Sequence, residues 1–154
     1  MANKTLSLLL TATLSFTSLF VLAQQKKATP TQSNTMTTSG FKKSFDSGKA
    51  LYTQHCMVCH QADGNGVPNL NPPLRKTEYV NGDKTRLINI LLKGLNEPIE
   101  IDGEEYSNPM PAFNYLSNQQ IADILTFIRN NFDNKSSAIS VAEVAKVRNS
   151  NSSK

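Results

Sequence analysis

Five consecutive residues, Cys56-Met57-Val58-Cys59-His60, hold both of the chain's cysteines and one of its two histidines. Two thiols three positions apart, followed at once by an imidazole, suit only a few kinds of chemistry. A dithiol–disulfide exchange pair belongs in a βαβ setting, and no such alternation of patterns surrounds this one. A structural zinc ion needs four ligands arranged around it. Cys56, Cys59, His55 and His60 all fall within six residues, too close together to enclose one metal. The remaining reading of C-x-x-C-H is covalent haem attachment. Both thiols then reach the vinyl groups on one edge of the macrocycle, and His60 stands beneath the iron as an axial ligand. Its other ring nitrogen needs an acceptor to fix the ring.

The second axial ligand must come from elsewhere in the chain. His55 immediately precedes the motif, which disfavours a second histidine from this chain. Of the four methionines, Met1 and Met36 lie in N-terminal segments and Met57 sits between the two cysteines. Met110 is left, in Asn108-Pro109-Met110-Pro111. Flanking prolines stiffen this loop and disfavour helix, as an iron-reaching side chain requires, although the commoner fate of a methionine is core filling. With His60 and Met110 both on the iron, no position is open to a substrate. The expected chemistry is reversible one-electron exchange, so the reading is a carrier and not an enzyme; a haem enzyme or gas sensor would need an open sixth position. Leu70, Leu74, Leu91, Leu92 and Phe113 are expected to bury the group and favour its ferrous state.

These residues need elements to hold them. The chain has 154 residues, a length suited to one domain. Lys4, the apolar stretch Leu6 to Leu22 and the small-residue site Val21-Leu22-Ala23 make residues 1–23 an export signal cleaved after Ala23, with delivery to the periplasm. The alternative is an uncleaved anchor facing the periplasm, against which six Ser and Thr in the stretch argue. Residues 24–40, rich in Gln, Lys, Thr and Ser, read as a flexible linker. Residues 41–132 form the domain, and 133–154 a C-terminal extension. Periodicity and caps place helices over about Ser44 to His55, from Asp83 to a cap at Gly94, and from the Ser117/Gln120 capping box through Ile121, Ile124, Leu125 and Ile128. Asp102-Gly103 signals a hairpin turn just before the Met110 loop. Ser140 and Glu143 start a further short helix over Val141 to Val147. The fold class is all-α: three main helices and long loops, with one short hairpin. So small a core benefits from a staple, which the covalent cofactor would supply.

The balance of 16 basic to 12 acidic residues, a formal +4, is scattered along the chain and makes no nucleic-acid patch. Glu97, Glu100, Asp102, Glu104 and Glu105 crowd the hairpin, either as a solvated turn or as a rim facing a basic partner surface.

The sequence resembles a class I cytochrome c, in particular the small monohaem bacterial members found beside periplasmic dehydrogenases and copper nitrite reductases. The matching residues are Gly48 and Tyr52 before Cys56-x-x-Cys59-His60, then Gly64-Asn65-Gly66-Val67-Pro68, Asn71-Pro72-Pro73-Leu74, Gly94, Gly103-x-x-Tyr106, Met110-Pro111-Ala112-Phe113 and Leu116-Ser117. The resemblance implies one covalent haem c with its iron. It also implies that the first and last helices cross at a glycine such as Gly48, with Phe127 packed there. A loop proline carbonyl would accept a hydrogen bond from the proximal histidine; Pro68, Pro72 and Pro73 all qualify. Pro72 and Tyr106 are taken as pocket residues. The partners implied are redox proteins, such as a periplasmic dehydrogenase, reductase or terminal oxidase, met freely or as a tethered module of a larger complex. A membrane is a partner only if residues 1–23 stay uncleaved. The extension after residue 132 departs from the simplest members, either packing back on the domain or facing a partner.

Overall fold

A computed structural model describes residues 36–153, so the expected export signal and most of the expected linker lie outside the described residues. Helix α1, Thr38–His55, starts six residues before Ser44, where the apolar repeat begins. The Thr37 hydroxyl accepts the Gly40 N–H and caps it. Cys56 ends α1, and the chain turns directly into α2, Met57–His60. A single turn, α3 (Glu78–Asn81), capped by Thr77, precedes α4 (Lys84–Lys93), capped by Asp83 and ended by Gly94. Strands β1 (Ile99–Ile101) and β2 (Glu104–Tyr106) pair antiparallel, with Ile99 opposite Tyr106 and Ile101 opposite Glu104. Asp102 and Gly103 both take positive φ, as a two-residue turn matching strand twist requires. Helix α5, Asn118–Arg129, begins at the Ser117/Gln120 capping box. The last helix, α6, runs Val141–Ser152 from the Ser140/Glu143 box, one turn and more beyond Val147.

The core forms where α1 crosses α5. A Cβ added at Gly48 would lie 2.0 Å from the Asp123 carbonyl oxygen and 2.8 Å from the Phe127 Cβ, so only glycine lets the two backbones approach this closely. Beside the crossing, Phe45, Tyr52 and Phe132 each set a ring within 5.1–5.6 Å of Phe127. The Ser44 hydroxyl donates to the buried Asp123 carboxylate across the same interface. Helix α5 is buried from Ile121 to Arg129 and not along one face alone, because α1, α3, α4 and α6 all pack around it.

The extension packs back on the domain. Ile139, Val144 and Val147 are buried in the shared core. Asn134 is also buried, and all four of its hydrogen-bonding positions are used: its amide donates to the Leu74 and Ile128 carbonyls, and its oxygen accepts from the Lys76 N–H and the Asn81 amide. The Arg129 guanidinium, buried at the end of α5, donates to the carbonyls of Val80 and Ser137. These bonds lock the extension to the loop after Pro72 and to the α3 region.

Candidate functional site

His60 ends α2 with only 8% of its surface exposed. Its Nδ1 lies 3.0 Å from the Pro72 carbonyl oxygen; neither Pro68 nor Pro73 makes that bond. The loop from Gln61 to Leu74 folds back tightly to bring Pro72 there. The Gly66 N–H donates to the His60 carbonyl, Val67 and Asn71 exchange backbone bonds, and the Leu74 N–H donates to the Gly64 carbonyl. With Nδ1 committed to an acceptor, Nε2 is the nitrogen available to a metal. Burial lowers the imidazole pKa, against a smaller opposing pull from the Pro72 carbonyl. The ring is therefore neutral and ligand-competent at neutral pH.

The two thiols sit on the turn leading into this histidine. The Cys59 and His60 N–H groups both donate to the Cys56 carbonyl, so the three side chains leave one short helical stretch. Cys56 is buried and Cys59 half-buried, and they are not joined to each other. Burial, with the charge of Cys59 close by, pushes the Cys56 thiol up to about 12. At neutral pH it is therefore a neutral thiol.

Both thiols and His60 face an apolar cleft of about 320 Å³. Leu74, Val80, Leu87, Leu91, Phe113 and Ile128 contribute to its walls, together with Pro72, Tyr106 and Met110. Met110 is half-buried in an extended segment that exchanges backbone hydrogen bonds with Leu95 at 2.8 and 2.9 Å. Gly94 makes this approach possible: a Cβ there would lie 2.4 Å from the Met110 carbonyl oxygen, and its φ is positive. The Phe113 N–H donates to the Leu91 carbonyl and fixes the loop three residues further on. Tyr106 reaches the cleft from the end of β2. Among the lining residues, Val58 is 83% and Tyr115 67% exposed.

Two of the five expected burying residues are placed otherwise. Leu70 is 46% exposed and outside the cleft, because the tight Val67–Asn71 turn carries it to the surface. Leu92 is buried, but in the packed core. The sequence also gave no sign of the ring cluster formed by His55, Phe113 and Tyr115, with centroids 6.1–6.2 Å apart. Its members come from the end of α1 and from the Met110 loop, and only the fold brings them together. The acidic side chains from Glu97 to Glu105 are exposed, and among the described residues none is ion-paired.

The donor set fits a haem: two thiols on one helical turn, an imidazole with its far nitrogen free, and a thioether on the same apolar cleft. It does not suit a bare ion, since no three His, Cys, Asp or Glu side chains cluster among the described residues.

The cytochrome c family model matches residues 45–132. The cytochrome c subunit of the quinone alcohol dehydrogenase of Gluconobacter oxydans is 32% identical over 106 residues, 67% of this chain and 22% of that protein. Cytochrome c-552 of Thermus thermophilus is 38% identical over 85 residues, 53% of this chain and 64% of that protein. The cytochrome c subunit of the gluconate 2-dehydrogenase of Pantoea cypripedii is 34% identical over 105 residues, 66% of this chain and 24% of that protein. The chain thus spans less than a quarter of the length of the two dehydrogenase subunits and under two thirds of the shorter cytochrome. It belongs to the cytochrome c family, whose members bind haem c and its iron covalently and transfer electrons.

Proposed function

We propose that the chain holds one haem, bonded through Cys56 and Cys59 with His60 and Met110 as axial ligands, and serves as a single-electron carrier. The observation that carries this reading is the His60 Nδ1–Pro72 contact of 3.0 Å beside a cleft that Met110 also lines. The bound iron would supply a reversible one-electron couple. The chain's own residues do the rest. Pro72 orients the imidazole and raises its basicity. The Leu95 and Leu91 backbone bonds hold the loop that presents the Met110 sulfur. Leu74, Val80, Leu87 and Phe113 exclude water, which disfavours the more highly charged ferric state. With the framework pinned on several sides, little has to move when charge changes.

Partners of the dehydrogenase class are supported by relatives named as cytochrome subunits of alcohol and gluconate dehydrogenases. The same names favour a second reading, in which this domain is a tethered module of a larger complex with the same chemistry. Co-purification with a dehydrogenase that survives high salt would select the tethered reading; a partner lost on salt washing would select the free carrier. Either way we place the domain in the periplasm, from the export pattern of residues 1–23. Among the described residues no helix is long and apolar enough to cross a membrane.

A spectroscopic redox titration of the haem-loaded protein tests the reading. It should give a single reversible one-electron transition and one haem per chain. Two transitions, or an irreversible change, would contradict it.

A further inference from the structure

Helix α6 lies beyond the segment that the family model covers, yet it reaches into the loop that carries Met110. Arg148 makes three hydrogen bonds there. Its Nε donates to the Asn118 side-chain oxygen at 2.7 Å, its Nη1 to the Asn114 carbonyl at 2.8 Å and its Nη2 to the Leu116 carbonyl at 2.7 Å. All three acceptors lie within eight residues after Met110. The planar guanidinium spans them as one rigid fork, which a point charge such as ammonium could not do.

The rest of α6 is held to α4 and α5. Val144 and Val147 are buried, Glu143 pairs with Lys84 at 2.9 Å, and the Asn151 amide donates to Asn89 at 2.9 Å. The other end of the loop is pinned to Leu91 within α4 and to Leu95 just beyond its Gly94 cap. Pro109 and Pro111 have no N–H to offer, which leaves the loop few backbone anchors of its own. The segment from Met110 to Asn118 is thus bracketed, by Leu95 and Leu91 at its start and by Arg148 at its end.

We propose that Arg148 is a positioning residue for the Met110 loop, so that the C-terminal helix sets how firmly Met110 holds the sixth position of the iron. This rests on the reading of Met110 as a ligand. Arg148 makes no hydrogen bond to Met110 or to the attachment motif, and acts by limiting how far the loop can swing away.

The experiment compares wild-type, R148A, R148K, S44A and M110A proteins, all haem-loaded. Two readouts are used: the far-red absorption band that reports a thioether sulfur on ferric haem, and the affinity of ferric protein for imidazole. An outside ligand binds only the fraction of molecules in which the loop has released the iron, so its apparent affinity tracks that fraction. R148A should bind imidazole about tenfold more tightly than wild type and lose the far-red band at lower pH. R148K, which retains charge but not the fork, should fall between, and it carries the test if R148A does not fold. S44A loses a buried hydrogen bond at the α1–α5 crossing, away from the loop. It should lower thermal stability and leave imidazole affinity unchanged.

If R148A and R148K bind imidazole like wild type while M110A binds it far more tightly, the Arg148 proposal is wrong and Met110 ligation stands. If S44A raises the affinity as much as R148A, the effect is one of general stability and the proposal is again wrong. If wild type lacks the far-red band and M110A matches it in affinity, the ligand reading fails and this proposal fails with it.

Discussion

Replacing Gly48 with alanine sets two opposed effects against each other, and the structure decides between them. In an exposed helix interior the change would stabilise by about 1 kcal/mol, because glycine gives up more backbone freedom on folding. Here the new Cβ would lie 2.0 Å from the Asp123 carbonyl oxygen, 2.6 Å from its carbon and 2.8 Å from the Phe127 Cβ. Two of these atoms are backbone, so no side-chain rotation relieves the overlap. Helices α1 and α5 would have to separate by more than an ångström to reach ordinary contact. That movement strains the buried Ser44–Asp123 hydrogen bond, worth about 1.5–3 kcal/mol with a charged acceptor. It also opens gaps among Phe45, Tyr52, Phe127 and Phe132, and overpacking of this kind costs about 1–3 kcal/mol on its own. Steric cost therefore exceeds the propensity gain, and the net expectation is a destabilisation of about 2–4 kcal/mol. For a domain of this size that lowers the melting temperature by roughly 10–25 °C. Thermal unfolding of the haem-loaded protein, followed by far-UV circular dichroism, reads this directly. A melting temperature at or above that of wild type would mean that propensity governs the site, and the close crossing of α1 and α5 would be refuted.

Other consequences can be checked as simply. Asn134→Ala leaves the Leu74 and Ile128 carbonyls and the Lys76 N–H without their buried partner; denaturant titration should show a loss of about 2–4 kcal/mol, and a change under 0.5 kcal/mol would contradict the network. Burial pushes the Glu143 carboxyl up, but the Ser140 N–H and the Lys84 ammonium pull more strongly, and its pKa lies below the usual value. A lowered folded pKa stabilises above the unfolded value and loses that contribution as pH falls through the folded one. Amide protection in α6 should therefore weaken as pH drops below the usual carboxylate range, and E143Q should remove that pH dependence; an unchanged profile in E143Q would count against it. Glu104→Gln with Glu105→Gln removes two unpaired charges from the hairpin. Electron exchange with a cationic redox partner should then slow at low salt and show a weaker salt dependence, whereas an unaltered salt dependence would make the hairpin a solvated turn only.

What could be read from the sequence was local. Ser117 with Gln120 and Ser140 with Glu143 mark helix starts because each capping box closes within four residues. Asp102-Gly103 marks its turn because those residues tolerate positive φ. Cys56, Cys59 and His60 are read as a haem-attachment motif from their spacing alone. The choice among Pro68, Pro72 and Pro73 could not be made this way, since it depends on how the Gln61–Leu74 loop closes. Leu70 was misplaced for the same reason: its hydrophobicity is visible, but the turn that exposes it is not. Helix α3 is too short to show periodicity. The start of α1 at Thr38 rests on a cap and not on an apolar face. Arg148 belongs to a stretch, Val141 to Arg148, that the sequence marks as able to pack back on the domain. The partners of Asn134, Arg129 and Arg148 are not legible, because their acceptors include residues up to 60 positions away and the type of a polar residue does not name its partner.

The most direct test of the central claim is carbon monoxide binding to the reduced, haem-loaded protein at neutral pH, followed by absorption spectroscopy beside M110A. Wild type should not bind the gas and M110A should bind it readily, as expected if the Met110 sulfur closes the sixth position and the protein only carries electrons. Ready binding by wild type, indistinguishable from M110A, would mean an open iron and would contradict the account.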